Sequence, residues 1–266
     1  YRTITRKCSK QYKQIRNATT ERFTIAVVRQ KQHANGTTIM KKNGNWWCVD
    51  SVGLAGDFMR LENFSCIQPI NEAVKYCKQF RNAIDAGTWI GDSTVQMAPM
   101  FDRVIGFEPH PLVFVCCEKN LKDRDITNVE MYNYALSNEN KLMNLYNGKS
   151  TFSGWVSEKE EVPELVTVHN EQQVQTIVLD SYHFEDIDFI KLDCDSHEGY
   201  ILAGAEQFFK TNSPVVLIEH KKRILTDRQP ADMPNAIELL ESYGYVLRAR
   251  VEKNDYVYTK GEADAE

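Results

Sequence analysis

The sequence predicts an α/β fold: a mainly parallel sheet covered by helices on both faces, with a small N-terminal addition. Three observations carry this. From residue 81 onward, short apolar runs alternate with longer segments of helical apolar period. The first run, "NAIDAG", passes through Asp85-x-Gly87-x-x-x-Gly91 into a helix, a strand-to-helix junction of the kind found where parallel sheets bind ligands. The last segment, "YVLRARVEKNDYVYTK", reads as an antiparallel hairpin turning at Lys253-Asn254. With 266 residues and 42% hydrophobic content, the chain buries a full core without staples.

Residues 1–80 read as the addition. "RFTIAVVRQ" is a predicted strand, and "NGTTIMKKNGNWWCVD" carries two turn signals that suggest hairpins. "NEAVKYCKQF" predicts a helix over 71–80 with Asn71 as its N-cap. Residues 81–260 form the predicted main domain. After "NAIDAG" and the helix "DSTVQMAPMF", the second strand "DRVIGFEP" stops at Glu108-Pro109. The helix "PLVFVCCEKNLKD" follows, then "NVEMYNYALS" as one third strand. "EDIDFIKLDCD" and "SPVVLIEH" are the fourth and fifth strands, with "HEGYILAGAEQFFKT" as one helix between them. "MPNAIELLESYG" is a helix that Gly244 ends. The stretch 147–175, rich in Glu and Val, is predicted to be a loop or lid, and 261–266 an acidic, solvated tail.

Charge and cysteine content narrow the function classes. A net charge of −5 argues against nucleic acid as a partner, and the basic stretch from Arg2 to Arg16 reads as an exposed arm. The seven cysteines are odd in number and form no CxxC pair, so free thiols in a reducing, cytoplasmic compartment are expected. The sequons at Asn17, Asn35 and Asn63 lack a signal peptide to give them weight. No apolar run approaches the roughly 20 residues that span a bilayer, so no membrane partner is expected.

The chemistry gathers at strand ends. Gly87 and Gly91 let the backbone turn sharply and approach a ligand, and the next helix offers N–H groups to an anion. The spacing is not the dinucleotide fingerprint GxGxxG. Glu108 ends the second strand 23 residues after Asp85, where a ribose-hydroxyl acceptor belongs in a doubly wound sheet. Past the fourth strand lie Asp193, Asp195, His197 and Glu198; Glu219 and His220 end the fifth. Such a cluster can bind a metal, act as a base or hold a cationic cofactor group. One of Asp195 and Ser196 is expected to cap the next helix.

These segments resemble the FkbM-type S-adenosylmethionine-dependent methyltransferases. The resemblance rests on "IDAGTWIGDST", "VIGFEPHP", "NVEMYNYALS", "IKLDCDSHEGYILAGA" and "PVVLIEH", over roughly residues 80–220. Family members typically read Asp-Val-Glu-Gly in the fourth segment, where this chain has Asp195 for the Glu and Ser196 for the Gly. The resemblance implies the class I methyltransferase fold, a Rossmann-like sheet of seven strands with the last antiparallel. It implies that Asp85, Gly87 and Gly91 line the methionine and ribose part of the cofactor. Glu108 would hold the ribose hydroxyls, Ala135 and Leu136 would lie near adenine, and Asp193 beside the sulfonium.

The expected activity is O-methylation of a hydroxyl on a sugar or other small molecule. The candidate bases are His197 and His220, with Asp193 a third catalytic candidate beside the substrate; alternatively Asp193, Asp195 and Glu219 hold Mg²⁺, which lowers the hydroxyl's pKa. Trp46, Trp47, Trp155 and Tyr182 are candidates for stacking on a ring or for core packing. The competing readings are a nicotinamide oxidoreductase, a nucleic-acid methyltransferase and a non-catalytic methyltransferase-fold binding module.

Overall fold

The computed structural model describes residues 38–42, 44–49, 67–147, 154–157, 170–221 and 233–261. Five parallel strands form the middle and one end of a seven-stranded sheet: β3 (Asn82–Ala86), β4 (Arg103–Phe107), β5 (Val129–Tyr132), β10 (Ile187–Leu192) and β11 (Val215–Glu219). The other end is the hairpin of β12 (Tyr245–Arg250) and β13 (Asp255–Lys260), with β13 antiparallel to β11. The order β12-β13-β11-β10-β3-β4-β5 reverses direction between β3 and β10. Their carboxyl ends therefore diverge into a crevice, the place where open parallel sheets bind ligands.

Side chains alternate between the two faces with period two, and both faces are buried. Ala83, Val104, Phe189 and Leu217 pack against Ile70 and Ala73 of α1 (Ile67–Ala73) and Met97 of α2 (Asp92–Met97). Ile84, Ile105, Ile190 and Ile218 pack on the opposite side, with α4 (Glu198–Ala203), α5 (Glu206–Thr211) and α6 (Ala236–Ser242). The helix α3 (Pro111–Lys122) has Pro111 in its first turn and is capped by His110, whose Nδ1 accepts from the N–H groups of Leu112 and Val113. Gly244, at φ +79°, ends α6 as expected.

The hairpin of β1 (Thr38–Lys42) and β2 (Asn45–Val49) forms where the turn signals lie. It docks on α3 through buried Asn120. That amide accepts from Trp46 N–H at 2.7 Å and donates to the carbonyls of Trp46 and Ile90 at 3.1 and 2.8 Å. Trp47 is buried with Ile90, Val113 and Cys116, edge-on to Trp89, while Lys119 covers the ring of half-buried Trp46.

Four elements differ from expectation. The helix expected over 71–80 is α1, which starts earlier and gives way to a 3₁₀ turn at Val74–Tyr76. Asn71 lies inside it and caps nothing, because Ile70 and Ala73 bury one turn apart. The third strand is two: β5 stays in the sheet, and β6 (Ala135–Ser137) leaves it. At the break, the Asn133 amide donates to the carbonyls of Glu108 and Pro109 instead of joining a ladder. The helix after residue 197 breaks into α4 and α5 at Gly204, where a Cβ would lie 2.3 Å from the Ser137 carbonyl oxygen. The described part of the expected lid is strand: β7 (Leu142–Asn147), β8 (Gly154–Ser157) and β9 (Asn170–Val178) join β6 in a four-stranded sheet. "RFTIAVVRQ", the basic arm, the sequons, the acidic tail and the Trp155 side chain lie outside the described residues.

Among the described residues no helix is long and apolar enough to cross a membrane, and Cys77, Cys116, Cys117 and Cys194 are unbridged. One close approach is testable. A Cβ at Gly199 in α4 would stand 1.9 Å from the Pro234 carbonyl oxygen. Gly199→Ala should lower stability by about 1–3 kcal/mol by overpacking, read as a lower urea midpoint. An unchanged midpoint would show that the chain entering α6 yields freely.

Candidate functional site

The carboxyl ends of β3, β4, β10 and β11 open on a cavity of about 330 Å³. Its geometry starts at Gly87. The N–H groups of Gly87 and Thr88 both donate to the Phe107 carbonyl, at 3.0 and 3.1 Å, and Asp193 N–H donates to the Ala86 carbonyl at 3.1 Å. These bonds draw the first, second and fourth strand ends together. Gly87 sits at φ +81°, and a Cβ there would lie 2.0 Å from the Asp193 carbonyl oxygen. Only glycine fits. Gly91, at φ +96°, caps α2 and packs on Cys117; it does not line the cavity.

Glu108 forms one pole of the cavity. Its two carboxylate oxygens accept separate backbone N–H groups, from Trp89 at 3.0 Å and His110 at 2.8 Å. Burial pushes its pKa up to about 8, against the pull of those two donors. Trp89 adopts φ +50° in the loop and lines the cavity beside it. The adjoining wall is apolar: Tyr134, Ala135 and Leu136, then Leu145 of β7 and Val156 of β8.

The other pole is a line of alternating charges. Asp85 is fully buried and lies outside the cavity lining. Its Oδ2 accepts from the Ser93 and Thr94 hydroxyls at 2.7 and 2.6 Å. It shares a sheet face with Ala83, so it points at α2 and supports the loop from behind. Lys191, its partner in strand register, places Nζ 3.8 Å from Asp85 Oδ1 and 3.0 Å from Asp193 Oδ2. Asp193 is hydrogen-bonded to Glu219. Lys221 then lies 2.6 Å from Glu219 and 3.4 Å from Asp195.

The two coupled carboxyls are driven apart. Burial works against the Asp193 carboxylate, but Lys191, the hydrogen bond with Glu219 and Lys221 outweigh it and hold Asp193 low. Burial, and then the negative charge of Asp193, push Glu219 up.

This arrangement corrects the expected Mg²⁺ site. Asp193, Asp195 and Glu219 do converge, but the ammonium groups of Lys191 and Lys221 lie between and beside them. Among the described residues no group of three or more His, Cys, Asp or Glu is placed to hold a metal. The histidines change as well. His220 does not line the cavity; it is buried, and its N–H donates to the Asn254 carbonyl. His197 does line it, with Nε2 3.0 Å from Ser137 Oγ, and burial depresses its pKa to about 3. An imidazole of that pKa is a poor proton acceptor near neutrality. Neither Asp195 nor Ser196 caps α4; His197 holds the cap position, and Glu198 accepts from Cys194 N–H at 2.8 Å.

Trp89, His110, Lys191 and Lys221 are site residues that the sequence reading passed over. Lys191 had a signal: two residues before Asp193 in a strand, it must share that residue's face. Trp89 stood between the two glycines already singled out. Lys221 lies just past the end of β11 and carries no local signal.

The sheet order and the crevice at the strand ends are those of the class I methyltransferase fold. The chain belongs to the family described as Methyltransferase FkbM domain, whose model matches residues 85–247, a family of S-adenosylmethionine-dependent methyltransferases. Among solved structures, methyltransferase FkbM from Methylobacillus flagellatus KT is 16% identical, with a TM-score of 0.46, over 83% of this chain and 56% of that chain. This chain thus spans little more than half of that protein's length. An rRNA methylase from Streptococcus thermophilus is 12% identical over 73% of this chain and 97% of that chain, with a TM-score of 0.41. A SAM-dependent methyltransferase from Aquifex aeolicus is 13% identical over 77% and 97%, with a TM-score of 0.42. No curated protein matches.

The buried carboxyls set a pH dependence. Glu108 and Glu198 have folded pKa values raised to about 8 and about 7 from 4.5, so their stabilisation is complete below pH 4.5 and is lost as pH rises through 7 to 8. His110 and His197, depressed to about 4 and about 3 from 6.5, act only as pH falls below 6.5. Between pH 6.5 and 8 the carboxyls act without them. Stability should fall across that window, and Glu108→Gln should make the fall shallower, as measured by urea midpoints at each pH. Parallel curves for the two proteins would refute the assignment.

Proposed function

We propose that this chain transfers a methyl group from S-adenosylmethionine to a hydroxyl of a sugar or other small molecule. The observation that carries the reading is the cavity with two unlike acidic poles. A buried, backbone-held carboxylate stands at the end of the second strand, and a lysine-braced carboxyl pair stands at the ends of the fourth and fifth.

The residues fit such a cofactor. Glu108 keeps lone pairs beyond the two that its N–H donors use, and these suit a vicinal diol. The apolar wall at Tyr134, Ala135, Leu136, Leu145 and Val156 suits a flat base. Gly87 removes the side chain that would block the approach to Asp193. The carboxyls of Asp193, Asp195 and Glu219 suit a cationic group. The cofactor supplies an activated methyl group; the protein's task is to position, exclude water and manage a proton. Asp85, Gly91 and Lys191 act one layer back, by fixing the loop and the Asp193 carboxylate. We place the methyltransferase domain at 81–260 with residues 1–80 as an addition, and the protein in the cytoplasm, with a small-molecule or glycan acceptor.

The reading is tested in two parts. Titration calorimetry at pH 9, above the Glu108 pKa of about 8, should detect S-adenosylhomocysteine binding, and Glu108→Gln should weaken it by about 1.5–3 kcal/mol, the worth of a charged hydrogen bond. Mass spectrometry after incubation with methyl-labelled S-adenosylmethionine should then find label on an oxygen of a sugar or polyol. Absence of cofactor binding sinks the reading. Label confined to nucleic acid, or to nitrogen, overturns the choice of acceptor.

A further inference from the structure

We propose that the β1–β2 hairpin is a working part of the cofactor site: with Asn120 it fixes Trp89, and Trp89 fixes the Glu108 carboxylate. This rests on the reading above and adds positioning residues that lie outside the cavity.

The chain of contacts starts at Trp89, which lines the cavity. It is a bulky residue in the left-handed region, at φ +50°, where such side chains are rarely found. That backbone turns its N–H onto Glu108 Oε2 at 3.0 Å, while Oε1 is held by His110 N–H at 2.8 Å. A conformation of this kind persists only where its surroundings over-determine it. Here the surroundings come from β2 and α3. The Trp89 ring meets the Trp47 ring edge-on, with centroids 5.9 Å apart. The next residue's carbonyl, that of Ile90, accepts from Asn120 Nδ2 at 2.8 Å. The same amide grips both main-chain polar groups of Trp46: Oδ1 accepts from its N–H at 2.7 Å, and Nδ2 donates to its carbonyl at 3.1 Å.

Trp47 and Asn120 are buried, and neither lines the cavity. They therefore act on a ligand only through the loop. Trp47 also packs on Ile90, Val113 and Cys116, so the hairpin bears on two successive loop residues, by ring contact at Trp89 and by packing at Ile90. When Trp47 is cut back, Trp89 is free to relax toward negative φ. Its N–H then leaves Glu108, and the carboxylate keeps the His110 donor alone. A carboxylate that swings no longer presents its remaining lone pairs in a fixed direction, and the cofactor must order it on binding. A hairpin that merely covered α3 would lower stability when weakened and leave the affinity of the folded protein unchanged.

The test is a double-mutant cycle with S-adenosylhomocysteine, followed by titration calorimetry. Trp47→Leu, which keeps an apolar side chain but removes the ring, should weaken binding by about tenfold. Trp47→Phe, which keeps an aromatic edge toward Trp89, should restore most of that loss. In a Glu108→Gln background the Trp47→Leu substitution should cost much less, because its route runs through that carboxylate. Coupling is reciprocal, so in the unaltered protein the ligand should slow amide hydrogen exchange in β1 and β2 as well as in the loop Gly87–Gly91. Unchanged affinity in Trp47→Leu, equal losses in both backgrounds, or hairpin exchange that ignores the ligand each overturn the proposal and leave the methyltransferase reading standing. No binding by the unaltered protein overturns both. If Trp47→Leu does not fold, the exchange measurement on the unaltered protein decides.

Discussion

The site depends on Lys191, an almost fully buried ammonium between two acids. One is the fully buried Asp85, anchored to the hydroxyls of α2. The other is Asp193, about one third exposed to the cavity. Removing these charges from water costs several kcal/mol each, and an apolar replacement of such a group is often neutral or stabilising. Stability alone therefore does not account for it. What the line does is tie α2, β3, β10 and β11 to one another at their cavity ends. Turning the Asp193 carboxylate would break its 3.0 Å contact with Lys191. The ionised Asp193 in turn raises the pKa of the neighbouring Glu219.

The second pole is built on a different principle. Among the described residues no ion pair to Glu108 is seen; its oxygens are held by two backbone N–H groups contributed by loops after β3 and β4. Backbone donors fix direction without adding a mobile charge. The cavity is thus rigid at the Glu108 end and electrostatically adjustable at the Glu219 end. The wall between the poles comes partly from β7 and β8. A segment with the composition of a lid has its described part folded as a second sheet, which contributes Leu145 and Val156 to the lining.

Most of the sheet was legible because buried parallel strands are short apolar runs, and their ends carry the polar residues. What failed was contiguity. "NVEMYNYALS" reads as one strand, yet the Asn133 amide caps the loop after β4 and sends the chain into another sheet. "HEGYILAGAEQFFKT" keeps helical period across Gly204, yet the Ser137 carbonyl occupies the space a continuous helix with a side chain there would need. Both breaks arise from contacts between distant segments, which local pattern does not encode. Asp85 is the opposite case. Its place at the end of its strand suggests a ligand, but parity with Ala83 places it on the α2 face.

The loop between β10 and α4 shows how the site holds a departure from its family's pattern. Asp195 and Ser196 are consecutive left-handed residues, at φ +52° and +86°. The family pattern has Gly at the second position, for which this conformation is free of Cβ strain. Ser196 adopts a left-handed backbone without glycine's freedom, at a cost on the order of 1–3 kcal/mol. Such strain persists only where the surroundings over-determine the backbone. Here Glu198 fixes Cys194 N–H, Ser196 is buried, and Lys221 draws the Asp195 carboxylate from outside. The shorter acid at 195 therefore still reaches a cation. The loop held by these contacts sets where the Asp195 carboxylate lies.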